Sequence, residues 1–171
     1  MAKRSSDLED VSQDYRIFPE EFESLLMATS NSYGLPEASY AAYLEEEGDY
    51  YVYLSELARH TGYLQANPKC SVMFIENEQD ASHLFARRRL TYQCEANEID
   101  RDSARFDSIL DAFEGKFGEF IKMLRNMDDF HLFRLKPFCG RYVSGFAQAY
   151  EIGGEQMETI KHRNEKGHRP K

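Results

Sequence analysis

Three arginines stand together in "ARRRL", at Arg87–Arg89. On a strand, Arg87 and Arg89 would share one face and Arg88 the other. Two guanidiniums on one face can grip carboxylates or phosphates bidentately. The competing assignment is ion pairing with the chain's own excess of Asp and Glu. "SELARH", Ser55–His60, is the second candidate. Its pattern predicts a strand-to-helix junction capped by Ser55, where free backbone N–H groups favour anions. Arg59 and His60 follow directly, so a phosphate or propionate grip competes with an ordinary capped helix. The third candidate is "DDFHLFRL", in which Asp128 and Asp129 precede an apolar strand. Pattern alone reads them as a polar turn, and His131 as packed or solvent-facing. The fourth is "KHRNEKGHRPK", with five positive charges, one negative and two histidines, His162 and His168. Neutral imidazole is a common metal ligand, yet their spacing matches no zinc motif. On charge alone this end reads as a solvated tail. The chain has no GxGxxG, Walker loop, GxSxG or HExxH, so hydrolase chemistry has no support.

The elements that position these residues follow from periodicity. Residues 1–16 are polar and read as a flexible segment. Pro19 followed by acidic residues predicts a short helix over Pro19–Leu26. A hairpin is expected from Met27–Ser30 and Ala38–Leu44, with its turn in Asn31–Pro36. Glu45–Asp49 is a second turn, before the aromatic strand Tyr50–Ser55. The helix after Ser55 places Leu57 and Leu64 on one face and stops at Pro68. "KCSVMFIE" and "LFARRRLTYQCEANEI" read as strands, with "NEQDASH" as the loop between them. Phe106, Ile109, Leu110 and Phe113, then Phe117, Phe120, Ile121 and Leu124, predict two amphipathic helices. Asp100 is the expected cap of the first, and Gly115 and Gly118 mark their join. "DFHLFRLKP" and "GRYVSGFAQAYEI" read as two further strands. About seven strands with mostly short connections fit a closed antiparallel barrel better than a doubly wound parallel sheet. The expected fold is mainly β with peripheral helices: a closed, Greek-key-type antiparallel barrel. The expected divisions are a flexible segment 1–16, a barrel domain 17–152 and a C-terminal tail 153–171.

The chain has 171 residues and a formal charge of −9. A chain of this length forms one domain and buries about 70% of its unfolded surface. The last eleven residues contribute +4, leaving −13 for the body. Such a body argues against nucleic-acid binding, which rests on Lys/Arg clusters. Cys70, Cys94 and Cys139 are far apart and odd in number, which reads as reduced thiols. The first residues lack the apolar core of a signal peptide, and no apolar run approaches a membrane span. A soluble, cytoplasmic protein is expected.

Several segments together resemble one family: "LARH", "SVMFIE", "LFARRRLTY", "FHLFRLKPFCGRYVSGFAQAYEI" and the terminal "KGHR". They look like the heme-utilisation proteins of the HugZ/HutZ type, in the pyridoxamine 5′-phosphate oxidase-like, FMN-binding split-barrel superfamily. The resemblance runs from about Phe22 to Arg169. It implies a homodimeric split β-barrel with ligands at the subunit interface. It implies heme as ligand, with His168 on the iron and His162 as the alternative. Asp129, or Asp128 beside it, would hydrogen-bond that histidine from across the dimer. His60 and Arg89 match residues of the heme pocket region. The implied activity is degradation of heme with O2 and a reductant, releasing iron. A heme carrier without turnover is one alternative. An FMN-binding oxidoreductase is another, with Ser55, Arg59 and Arg87 on the flavin phosphate.

Overall fold

The sequence alternates in "SLLMATS", and the computed structural model, which describes residues 2–163, turns that alternation into strand β1 (Ser24–Ser30). Leu25, Met27 and Thr29 are buried while their neighbours are not, a period of two. Hence the helix expected over Pro19–Leu26 is absent. A 3-10 turn at Phe18–Glu21 takes up Pro19, and the strand begins at Ser24. β1 pairs antiparallel with β2 (Pro36–Glu46) in the register Leu26↔Tyr40 and Ala28↔Ala38. The Asn31 side chain holds the turn by accepting from the N–H groups of Tyr33 and Leu35. β2 turns into β3 (Asp49–Ser55) through Glu47 and Gly48, both at positive φ. A two-residue hairpin loop demands that backbone, and the glycine adopts it without steric cost.

β3 leads to helix α2 (Arg59–Ala66), then β4 (Lys69–Ile75) and β5 (Arg89–Ile99). Helices α3 (Ala104–Phe117) and α4 (Glu119–Arg125) follow, then β6 (Phe130–Gly145), β7 (Gln148–Gly153) and β8 (Thr159–His162). The strand order is β3-β2-β1-β4-β5-β6-β7-β8, and β3 also pairs with β6. That pairing closes six strands into an antiparallel barrel and leaves β7 and β8 as an extension. The expected mainly β barrel is therefore what forms, with one more strand than the sequence pattern suggests. β6 runs through Pro137 without a break. It faces β3 over Phe130–Leu135 and β7 over Gly140–Gly145. Pro137 falls in the gap between these pairings, where a missing N–H is tolerated. The hairpin turn lies instead at Phe146–Ala147, inside the stretch read as one strand. Likewise β8 draws the beginning of the expected polar tail into the sheet.

Two compact units share these strands. One comprises the chain up to Phe22, Val72–Gln93 and the chain from Phe138. Here residues 2–17 form helix α1 (Ala2–Ile17), where the sequence reads as a flexible segment. Tertiary anchors decide this, since its pattern is not amphipathic. Tyr15 and Phe18 are fully buried, and the Tyr15 hydroxyl donates to the Met157 carbonyl at 2.5 Å. The Tyr142 hydroxyl donates to Asp14. Burial and that neighbouring carboxylate hold the Tyr142 phenol far above its ordinary pKa. Gly140 lies against the Tyr92 ring, where a Cβ would stand 2.6 Å from the nearest ring carbon.

The second unit comprises Glu23–Ser71 and Cys94–Pro137. Its core joins Tyr51 and Leu132 to Phe106, Ile109, Leu110 and Phe113 of α3 and to Ile121 of α4. Each such side chain contributes about 1.5–3 kcal/mol on burial. The residue that caps α3 is Ser103, which accepts from the Phe106 N–H at 3.2 Å. Asp100, the expected cap, instead closes a turn with the Asp102 N–H. Gly118 makes the α3–α4 join at a φ of 80°.

Candidate functional site

Ser55 ends β3 and faces Phe130, the first residue of β6, across the ladder. That register brings the junction before α2 alongside Asp129. The Ser55 hydroxyl donates to Asp129 Oδ2 at 3.0 Å and accepts from the Leu57 N–H at 3.1 Å. The Glu56 N–H donates to the Asp129 carbonyl at 2.8 Å. The Ser55 carbonyl accepts from the Ala58 N–H at 3.1 Å and from the Thr61 hydroxyl at 2.5 Å. Ser55 therefore orders the turn before the helix, while Ala58 occupies the cap position with no side-chain bond. This corrects the expected Ser55 cap. Asp129 is half-buried, and its Oδ1 has no hydrogen bond among the described residues. Asp128 is exposed and borders a different feature, a groove of about 410 Å³ lined also by Arg101, Phe106 and Phe130.

His60, in the first turn of α2, is half-buried and makes no hydrogen bond among the described residues. Burial pulls its pKa below the ordinary histidine value, against a smaller upward pull from Glu37. It is thus a neutral imidazole near neutral pH, free to meet a ligand. Arg59 beside it is largely exposed and stands 3.8 Å from Glu37.

His131, which pattern placed in a packed or solvent-facing role, is a clasp. Its Nδ1 lies 2.5 Å from Glu98 on β5, and its Nε2 lies 2.7 Å from Glu56. Burial lowers its pKa, but the two carboxylates outweigh that and raise it above the ordinary value of 6.5. A raised histidine pKa stabilises the fold fully below the unfolded pKa and loses the contribution as pH climbs through the folded one. Thermal unfolding temperature should therefore fall as pH rises past the ordinary histidine value of about 6.5, and His131→Gln should flatten that dependence. An equal slope in the variant would exclude the clasp. Sequence spacing could not reveal it, because Glu56, Glu98 and His131 meet only through the barrel register.

The arginine run belongs to the other unit, and only Arg89 is on a strand. A 3-10 turn at Leu84–Ala86, capped by His83, replaces the expected start of the strand. The alternating-face argument consequently fails for this run. The Arg87 guanidinium donates twice to the Glu76 carbonyl and pairs with Glu78 at 3.3 Å. Arg88 grips Glu21 at 2.6 and 2.7 Å. Both follow the ion-pairing alternative. Arg89 is half-buried, and among the described residues its guanidinium makes one hydrogen bond, to the Arg87 carbonyl at 3.1 Å, which leaves it donors for an anion. His162 sits on β8 with its ring against Tyr150, and His168 lies outside the described residues.

A closed split-barrel topology and a carboxylate oriented at a strand start now stand beside the comparisons. The family model for pyridoxamine 5′-phosphate oxidase matches residues 11–144. Heme oxygenase HutZ of Vibrio cholerae is 40% identical over 152 residues, covering 89% of this chain and 86% of the relative. The crystal structure of HutZ, there called the heme storage protein of Vibrio cholerae, has a TM-score of 0.69 at 38% identity. It covers 73% of this chain and 88% of that one. Campylobacter jejuni ChuZ has a TM-score of 0.80 at 36% identity, covering 90% of this chain and 62% of that one. The chain belongs to the pyridoxamine 5′-phosphate oxidase family and, within it, to the HugZ/HutZ type.

Proposed function

We propose that this protein binds heme as a substrate in bacterial heme-iron utilisation and degrades it with O2 and a reductant. The observation that carries the reading is the Ser55–Asp129 pair, set in a chain 40% identical to a heme oxygenase. A carboxylate fixed through one oxygen, with the other open, suits acceptance of an imidazole N–H. An axial histidine that donates its second N–H to a carboxylate is oriented and made more electron-rich. His168 is the proposed axial ligand, and Asp129 its hydrogen-bond partner. His60, a half-buried imidazole with a lowered pKa, and Arg89, whose guanidinium suits a propionate, are each proposed as heme contacts. Heme, when bound, supplies the oxygen chemistry that opens its own ring.

The protein is proposed to be a cytoplasmic homodimer. Leu26 and Tyr40 oppose each other across the β1–β2 ladder and are 41% and 70% exposed, which suits cover by a second copy. Among the described residues, no helix is long and apolar enough to cross a membrane.

A heme carrier without turnover is the second reading, favoured by the storage role named for HutZ. Flavin binding has weaker support. Of the residues assigned to its phosphate, Ser55 gives its only hydroxyl proton to Asp129, and all three guanidinium nitrogens of Arg87 already meet Glu76 or Glu78. One assay separates oxygenase from carrier. Heme-loaded protein is given ascorbate in air with catalase present. Loss of the Soret band with release of chelatable iron supports the oxygenase, and a stable band supports the carrier.

A further inference from the structure

We propose that Ser55 is a positioning residue for Asp129, selecting which carboxylate oxygen faces the axial histidine. The inference rests on the reading that Asp129 partners that histidine. A serine hydroxyl carries one proton and two lone pairs. The Leu57 N–H occupies the oxygen from one side, so the single proton is directed onto Asp129 Oδ2. The main chain is fixed as well, because the Glu56 N–H holds the Asp129 carbonyl. The carboxylate is thus tied at its backbone and at one oxygen. Rotation about its terminal bond, otherwise broad and two-fold, is restrained, and Oδ1 is the oxygen with no hydrogen bond among the described residues. A neutral donor leaves the carboxylate charged, so Oδ1 remains a strong acceptor for an imidazole N–H.

Without this bond the carboxylate rotates, and its hydrogen bond to the imidazole weakens. The imidazole then becomes less electron-rich, its bond to ferrous iron softens, and the reduction potential rises. Resonance Raman of the ferrous heme-loaded protein reads the iron–histidine stretch, and a redox titration reads the potential. Ser55→Ala should lower the stretch and raise the potential, in the same direction as Asp129→Asn but by less. Ser55→Thr, which keeps the hydroxyl, should restore both. In the Ser55→Ala/Asp129→Ala double variant, the Ser55 effect should vanish, since no side chain at 129 remains for the hydroxyl to orient.

A stretch unchanged in Ser55→Ala but shifted in Asp129→Asn would overturn the role of Ser55 and leave Asp129 in place. Shifts that add in the double variant would also overturn it, by showing that Ser55 merely shapes the turn. No shift in Asp129→Asn would remove the underlying assignment and the inference with it.

Discussion

Arg88→Ala lowers the unfolding free energy by about 2 kcal/mol, as for losing a partly exposed, charge-assisted ion pair with its stacking contact. Arg88 grips both oxygens of Glu21 at 2.6 and 2.7 Å, and its guanidinium lies 4.7 Å from the centre of the buried Phe18 ring. Its own N–H donates to Glu76 at 3.0 Å, but that backbone bond survives the substitution. The side chain is 30% exposed, so the figure stays below that of a fully buried pair. What is lost is the bolt between the end of α1, the Phe18–Glu21 turn and the approach to β5. Arg88→Lys restores the charge without the planar guanidinium that lies over the Phe18 ring and should recover less than half of the loss. Urea denaturation measures both variants. Unchanged midpoints would show that the Glu21 pair and the Phe18 contact contribute nothing to stability.

Asp129→Asn, by contrast, should leave stability almost intact and slow heme turnover by about 10–100-fold, the usual cost of removing a ligand's hydrogen-bond partner. Asparagine keeps the shape and can still accept from Ser55, but it loses the charge that makes the axial imidazole electron-rich. Heme affinity should change little, because the iron bond itself remains. Single-turnover bleaching in ascorbate, with catalase present, measures the rate. Asp128→Asn serves as the control and should match wild type, because Asp128 is exposed and it is Asp129 that the Ser55 hydroxyl holds. If Asp128→Asn is the slow variant, the assignment moves by one residue.

The arginine run shows how far sequence carried the argument and where it stopped. Charge and spacing raised both uses of these side chains, ligand grip and internal pairing. Only the fold showed that Glu76 and Glu78 lie beside Arg87, and Glu21 beside Arg88. The hairpins were legible because their turns are local chemistry, from Asn31 to Gly34 and at Glu47–Gly48. α3 was legible because four apolar residues repeat at helical spacing. α1 was not, because its stability comes from Tyr15 and Asp14 meeting Met157 and Tyr142, more than a hundred residues away. Ser55 and Asp129 could each be singled out alone. Their bond joins residues 74 apart and depends on the pairing of β3 with β6. The His131 clasp was hidden for the same reason.

Hemin titration of wild type and His168→Ala tests the central claim most directly. Wild type should give the Soret and visible bands of histidine-ligated heme, His168→Ala should lose them or bind far more weakly, and His162→Ala should keep them. A His168→Ala protein with the wild-type spectrum and affinity would rule out His168 as the iron ligand.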